Sequence, residues 1–311
     1  MDIVISEFMD EPAVQQLREQ FSVLYDPGLV DHPDALRSAL GQSRALIVRN
    51  RTQVDQDLLE HAPQLQVVGR LGVGLDNIQL ESCREKNVQV IPATGTNARA
   101  VAEYVLGAAL QLARGVFDSS AAVSQGQWPR TALGQGREIG GLTLGLIGFG
   151  NIARQVSTLA HHLGLHVCAH DSGLAESDPV WAQHHVRSLS LDALLAQSDI
   201  VSLHVPLLPS TRNLIDARRL EQMKPDAILI NTARGGIVDE AAVAAALRAG
   251  HLGGAALDVF DPEPLPRTEH LQDVPNLILT PHIAGLSRQA NTRVSAFIAD
   301  AIARQLRSAA L

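Results

Sequence analysis

Leu144-Gly145-Leu146-Ile147-Gly148-Phe149-Gly150-Asn151-Ile152-Ala153 decides the fold. Its first four residues continue from Thr143 as an aliphatic run suited to a strand buried on both faces. A helical pattern follows over Ile152–Leu163. The junction reads Gly148-x-Gly150-x-x-Ala153, and each small residue there has a task. Gly148 permits the tight turn, Gly150 lets a pyrophosphate reach the backbone, and Ala153 lets helix and strand pack closely. The first amides of the helix then face the phosphates. The next strand, His166–Ala169, runs on through His170 to Asp171, 18 residues beyond Ala153. A carboxylate there accepts from both adenosine ribose hydroxyls and repels a 2′-phosphate. Ser172-Gly173-Leu174 supply no arginine to reverse that preference. The stretch reads as a dinucleotide site that favours NAD over NADP.

Working outward, short aliphatic runs alternate with longer amphipathic stretches along the whole chain. Candidate strands are Ile3–Ile5, Ala45–Val48, Gln66–Val68, Val88–Ile91, Thr143–Ile147, His166–Ala169, Ile200–Leu203, Ala227–Ile230, Gly254–Leu257 and Leu277–Leu279. Helices are expected over Ala98–Ala113, Ile152–Leu163, Leu191–Gln197, Glu240–Ala249 and, by apolar spacing, Ser287–Leu306. This alternation predicts an α/β class with parallel sheets. Gly126 to Gly141, rich in glycine and containing Trp128-Pro129, reads as a connecting arm. Two α/β units are expected, joined near the helix 98–113.

Composition removes other classes. The 311 residues are 46% hydrophobic but only 3% aromatic, which suits cores of Val, Ile, Leu and Ala. The formal net charge of −8 argues against a nucleic-acid partner. Two cysteines, Cys83 and Cys168, form no ligand spacing, so neither a disulfide scaffold nor a metal site is expected, and a cytoplasmic location is. No apolar run approaches the roughly 18 residues of a membrane span. The N-terminus lacks the basic start and length of a signal peptide.

Three polar clusters each follow a candidate strand in the C-terminal half. They are Asn231-Thr232-Ala233-Arg234-Gly235-Gly236, Asp258-Val259-Phe260-Asp261-Pro262-Glu263, and Thr280-Pro281-His282-Ile283-Ala284-Gly285. In doubly wound sheets ligands sit outside the carboxyl ends of strands, so Arg234, Glu263 and His282 are expected to converge. Taking hydride from a secondary alcohol requires a base for its hydroxyl proton, and histidine suits that near neutral pH. A glutamate bonded to the imidazole orients it. An arginine pairs with a carboxylate and polarises the adjoining carbonyl.

On these motifs the chain resembles the D-isomer-specific 2-hydroxyacid dehydrogenases, in particular the phosphoglycerate dehydrogenase-like branch. The resemblance spans essentially the whole sequence. It includes the segments His204-Val205-Pro206-Leu207 and Thr211-Arg212, and the spacings of 29 residues from Arg234 to Glu263 and 19 from Glu263 to His282. It implies a Rossmann NAD domain over 98–286 and a flavodoxin-like substrate domain built from 1–97 and 287–311. Arg234, Glu263 and His282 are then catalytic. NAD is implied to contact Gly148, Gly150, Asn151, Ile152, Asp171, His204, Val205, Pro206, Thr211, Thr232, Ala233, Asp258 and Gly285, with Asp258 holding the nicotinamide carboxamide.

The substrate, a small anionic hydroxy acid, is implied to meet Arg49, Arg70, Asn97 and the Gly72-Val73-Gly74 loop, whose amides form an anion nest. Arg51 stands beside Arg49 as a further candidate for a distal anionic group. A homodimer is implied, with Trp128 a candidate subunit contact. Departures narrow the branch. Ala93-Thr94-Gly95-Thr96-Asn97-Ala98-Arg99 and Pro281–Ser287 look more like sulfolactate dehydrogenases than phosphoglycerate dehydrogenases. Glu263 in place of Gln speaks against formate dehydrogenases. With the sequence ending at Leu311, a regulatory domain of the phosphoglycerate dehydrogenase kind is not expected. An NAD-responsive corepressor and a phosphite-type dehydrogenase are the alternative readings on the same fold. His161-His162, on a helix, and His184-His185, in a polar loop, are set aside as structural. The two cysteines are expected to be buried.

Overall fold

A computed structural model describes residues 1–308, which divide into two compact units. Residues 1–97 with 286–308 form the first. Its strands β1 (Ile3–Ile5), β2 (Val23–Tyr25), β3 (Ala45–Val48), β4 (Val67–Arg70) and β5 (Gln89–Pro92) lie in the order β2-β1-β3-β4-β5, every pair parallel. This is the flavodoxin-like order. Side chains alternate across the sheet, as strand geometry requires. Ile3, Ile5, Ala45, Ile47 and Val67 meet the helices Glu11–Arg18 and Arg288–Ser308. Val4, Leu46, Val48 and Val68 meet Pro33–Leu40, Gln56–Glu60 and Leu80–Glu85 on the other face. Each Val, Leu or Ile among these contributes about 1.5–3 kcal/mol on full burial. The C-terminal helix comes close to β4 because residue 69 is glycine; a Cβ there would lie 2.8 Å from Ile298 Cγ2.

Residues 98–285 form the second unit. Its strands are β6 (Thr143–Ile147), β7 (His166–His170), β8 (Arg187–Ser188), β9 (Ile200–Leu203), β10 (Ala227–Asn231), β11 (Leu252–Leu257) and β12 (Leu277–Leu279). The order β12-β11-β10-β9-β6-β7-β8 is all parallel and doubly wound, with its direction switching between β6 and β9. The helices Ala98–Arg114 and Asn151–His162 cover one face through Val101, Val105, Ala109, Val156 and Ala160. Leu191–Gln197, Ala217–Gln222 and Glu240–Arg248 cover the other through Leu194, Leu220, Val243 and Leu247. Both cysteines are buried thiols. Among the described residues no helix is long and apolar enough to cross a membrane.

The two parallel α/β sheets agree with the strand–helix alternation. Two strands escaped it. β8 is an edge strand of two polar residues, Arg187-Ser188, and β2, Val23–Tyr25, is an edge strand that is only partly buried. The Gly126–Gly141 arm carries one short helix, Arg130–Leu133, with no buried residue, while Ile139 beyond it joins the core.

Candidate active site

At the switch point, β6 runs into Gly148, whose φ of 90° is the left-handed region open to glycine. A Cβ on Gly148 would sit 2.9 Å from the His204 carbonyl and from Val205 Cγ1, so the turn and the 204–206 segment are pressed together. Phe149 points inward, fully buried, stacked on Trp181 at 5.0 Å and edge-on to His184 at 5.6 Å. His184 is thus part of the clamp behind the turn, and burial together with Arg154 and His185 lowers its pKa. Gly150 caps the helix Asn151–His162 in an extended conformation, and a Cβ built there meets nothing within 4 Å. The open space lies against amides that have no intrahelical acceptor.

Asp171 closes β7 and does more than wait for a ribose. Its Oδ2 accepts the Phe149 N–H at 2.7 Å and its Oδ1 the Gly173 N–H at 2.8 Å. A carboxylate has about four acceptor positions, so two remain. Thr211 is more fully engaged: its hydroxyl accepts from Leu208 N–H and donates to the Pro206 carbonyl, both at 2.7 Å, folding its own loop. The His204 imidazole lies 3.0 Å from Ser202 Oγ, and burial pushes its pKa down to about 3, so it is neutral at physiological pH.

The second group forms beyond β10, β11 and β12. Buried Asn231 bends its own chain: Oδ1 accepts from Ala233 N–H and Nδ2 donates to the Arg234 carbonyl, each at 3.0 Å. The Arg234 guanidinium donates back to the Ala233 carbonyl at 2.6 Å. Gly235 lets this loop touch the next one, since a Cβ there would lie 2.0 Å from the Phe260 carbonyl. Glu263 Oε1 accepts from Phe260 N–H at 3.0 Å, and Oε2 lies 2.7 Å from His282 Nδ1. Burial alone would raise the Glu263 pKa, but the bonds from His282 and Phe260 N–H, with the nearby charges of His282 and Arg234, bring it below the usual carboxylate value. Because the carboxylate only accepts, Nδ1 carries a hydrogen and Nε2 is the ring atom left for proton transfer.

His282 sits in the left-handed region, at φ 54°. Its N–H donates to the Asp258 carbonyl at 2.8 Å. The Asp258 side chain is 1% exposed and accepts from Thr280 Oγ1 at 2.6 Å and from Ile283 and Ala284 N–H at 2.8 Å. Asp258 therefore builds the turn that carries His282, and the carboxamide contact implied above has one acceptor position left to use. Gly285 follows at the end of that turn. Thr232 Oγ1 is shielded from solvent with no hydrogen-bond partner. The open space at Gly150, the unused positions on Asp171 and this orphaned hydroxyl fit an NAD molecule along the carboxyl ends of the strands.

In the first unit, Arg49 donates to Asn291 Oδ1 at 2.7 Å and stands 5.6 Å from the Phe8 ring. Burial lowers its pKa, against the raising influence of the Glu7 charge. Arg51 is paired with Asp31. Glu7 was missed from sequence; its carboxylate accepts the N–H groups of Arg49, Asn50, Arg51 and Thr52 at 2.8–3.3 Å and shapes that whole loop. Its one sequence signal was an acidic residue just past the carboxyl end of a buried strand. Arg70 folds over Gly72, where a Cβ would meet its Nη1 at 1.5 Å. No helix opens at the Gly72-Val73-Gly74 nest, and the next one begins only at Leu80. The N–H groups of Val73 and Gly74 nonetheless donate to no group among the described residues. Asn97 Oδ1 is buried without a partner, one residue before the helix Ala98–Arg114.

A separate cleft of about 420 Å³, lined by Thr143, His161, His166 and Arg187 among others, lies at the starts of β6 and β7. That is the end of the sheet where doubly wound folds do not bind their ligands.

The chain is similar to known proteins in sequence and in fold. Residues 106–284 match the family model of the D-isomer specific 2-hydroxyacid dehydrogenase NAD binding domain. The chain is 52% identical over 305 residues to an (S)-sulfolactate dehydrogenase of Chromohalobacter salexigens, covering 98% of each. It is 37% identical over 276 residues to a hydroxypyruvate reductase of Thermotoga maritima, covering 88% of each. Among solved structures, the TT0316 protein of Thermus thermophilus superposes with a TM-score of 0.89 at 35% identity, over 99% of this chain and 97% of that one.

Proposed function

The chain belongs to the D-isomer-specific 2-hydroxyacid dehydrogenase family, and on that footing we propose that its substrate pair is of the sulfolactate–sulfopyruvate type and that His282 is the acid/base. NAD-dependent interconversion of a 2-hydroxy acid and its 2-oxoacid is the activity of its relatives and of this chain. NAD, when bound, supplies or accepts the hydride. What remains falls to the protein. The observation that carries the reading is the 2.7 Å bond between His282 Nδ1 and Glu263 Oε2. It fixes the ring so that Nε2 takes the hydroxyl proton in oxidation and returns it in reduction. Arg234 pairs with the substrate carboxylate and polarises the carbonyl at C2. Gly148, Gly150, Asn151, Ile152 and Asp171 hold the dinucleotide, with His204, Val205, Pro206, Thr211, Thr232, Ala233, Asp258 and Gly285 along its length. Arg49, Arg70, Asn97 and the 72–74 amides bind the anionic groups of the substrate.

Two arguments favour a sulfonate. The sulfolactate dehydrogenase is the relative matched at 52% over nearly the full length of both chains. Its (S) descriptor is also compatible with a D-specific fold. Sulfur outranks oxygen in the priority rules, so a D-configured lactate that gains a sulfonate on C3 changes label without changing hand. The proposal extends to a homodimer, with Trp128 at the subunit contact, and to a cytoplasmic location, where thiols such as Cys83 and Cys168 stay reduced.

The test is NADH consumption with glyoxylate, hydroxypyruvate, 3-phosphohydroxypyruvate and sulfopyruvate. Sulfopyruvate is expected to have the highest kcat/KM; a higher value for another oxoacid overturns the substrate assignment. His282→Ala is expected to lower kcat by about 100-fold or more with NADH affinity unchanged. Near-normal turnover in that variant overturns the acid/base role.

A further inference from the structure

We propose that Tyr104 is a positioning residue for His282, acting through Thr280 and Asp258; the inference rests on the acid/base role assigned to His282. Tyr104 lies in the helix Ala98–Arg114, which packs on the β10 and β11 side of the sheet through Val105 and Ala109. Its hydroxyl is 2.6 Å from Thr280 Oγ1, and Thr280 Oγ1 is 2.6 Å from Asp258 Oδ1.

The direction of each bond follows from chemistry. Asp258 Oδ1 and Oδ2 both face backbone N–H groups, of Ile283 and Ala284, so the carboxylate accepts at both oxygens. Thr280 has one hydroxyl hydrogen and gives it to Oδ1. Tyr104 must therefore donate to Thr280. Burial and the Asp258 charge raise the tyrosine pKa, outweighing the Thr280 bond, so the phenol keeps its hydrogen at assay pH.

The relay matters because of what hangs from it. The left-handed region is strained for a non-glycine residue, and His282 adopts that conformation at φ 54°. The turn persists because Asp258 takes three of its neighbours' hydrogens on its side chain and the His282 N–H on its carbonyl. Oriented donors hold the carboxylate, and Tyr104 orients the first of them from a rigid helix. Without the phenol, Thr280 is free to turn its hydroxyl, Asp258 loses a directed partner, and the His282 ring drifts from its productive position. Displacements of about 1 Å at a reacting group cost up to roughly 100-fold in rate.

The test uses Tyr104→Phe, which deletes one oxygen, with Thr280→Val and Thr280→Ser. Sulfopyruvate, or whichever oxoacid of the panel is reduced fastest, is the substrate. The expected result for Tyr104→Phe is a kcat lowered about tenfold, with oxoacid KM, NADH affinity by fluorescence titration, and Tm close to wild type. Thr280→Val is expected to lower kcat at least as far, and Thr280→Ser to restore it. The double variant Tyr104→Phe/Thr280→Val should be no worse than Thr280→Val alone, because both act on one chain of bonds.

An unchanged kcat in Tyr104→Phe overturns the proposal. So do additive losses in the double variant, and so does a parallel fall of kcat, NADH affinity and Tm, which marks a purely structural contact. His282→Ala in the same assay separates the two levels. If it is inactive while Tyr104→Phe is normal, only this inference fails. If it is active as well, or no oxoacid of the panel is reduced, the assignment of His282 fails with it.

Discussion

Glu263 gives one carboxylate oxygen to its own loop and the other to His282, at 3.0 and 2.7 Å. Its lowered pKa has a definite sign. The unfolded chain takes up the proton near the ordinary 4.5, the folded one only below it. The stabilisation is therefore complete above 4.5 and is lost as pH falls through the native value. Through the neutral range Glu263 stays ionised. Glu263→Gln keeps the shape and removes the charge opposite the ring, so kcat should fall on the order of 100-fold while NADH affinity holds. Steady-state kinetics beside an NADH titration checks this, and a wild-type kcat would refute the orienting role. Arg234, Glu263 and His282 were legible in the sequence because each sits in a polar cluster that ends an aliphatic strand. Tyr104 was not. Its partner Thr280 is 176 positions away, and only the folded sheet brings the two together.

Two glycines of the second unit differ in kind, and substitutions separate them. Gly235 is spaced by backbone: its Cβ would stand 2.0 Å from the Phe260 carbonyl. Gly235→Ala must push apart the two loops that carry Arg234 and Glu263, and should lower both kcat and Tm. Gly150 faces open space, so Gly150→Ala should leave Tm unchanged yet weaken NADH binding about tenfold, because the methyl occupies ground needed by the phosphates. Thermal melts and NADH titrations on both variants decide it; equal Tm losses would show that Gly150 is a folding residue. The motif made Gly148 and Gly150 readable from sequence. Gly235 needed the structure, since its neighbour lies on another strand's loop.

The same holds for the loop after β3, fastened by Glu7. Burial raises the pKa of that carboxyl, but backbone N–H bonds from Thr52, Arg49 and Arg51 win and leave it lowered. Glu7→Gln turns one acceptor into a donor facing N–H groups and should destabilise the protein by about 1–3 kcal/mol at pH 7. The sign of the shift predicts that this deficit shrinks as pH falls below 4.5, where the unfolded wild type takes up the proton first and the native carboxylate's advantage is progressively lost. Urea titrations at pH 7 and pH 3.5 measure it, and a deficit independent of pH would contradict the assignment.

For the molecule as a whole, a net charge of −8 argues against polyanions and leaves the small anions proposed above to local devices, for which the Gly150 turn, Arg234 and the half-buried Arg49 are the candidates. The two sheets were legible because nearly every strand is a buried aliphatic run; β8 is Arg187-Ser188, with no apolar residue to read, and β2 is only partly buried. The stretch between them in sequence, after the helix Ala98–Arg114, behaves differently from either core. The helices Ser120–Ser124 and Arg130–Leu133 bury no residue, and Phe117, Val123 and Trp128 are 62%, 43% and 76% exposed. Ordering such a segment costs about 1–2 kcal/mol per residue in backbone entropy, with little burial inside its own unit to offset it. Three large apolar groups within a dozen positions lie exposed there. The homodimer proposed above would cover this segment. Light scattering should then give about twice the 33.3 kDa of one chain. Phe117→Glu combined with Trp128→Glu should shift the population toward monomer as protein is diluted. A wild-type protein that remains at the mass of one chain throughout that range would refute the homodimer.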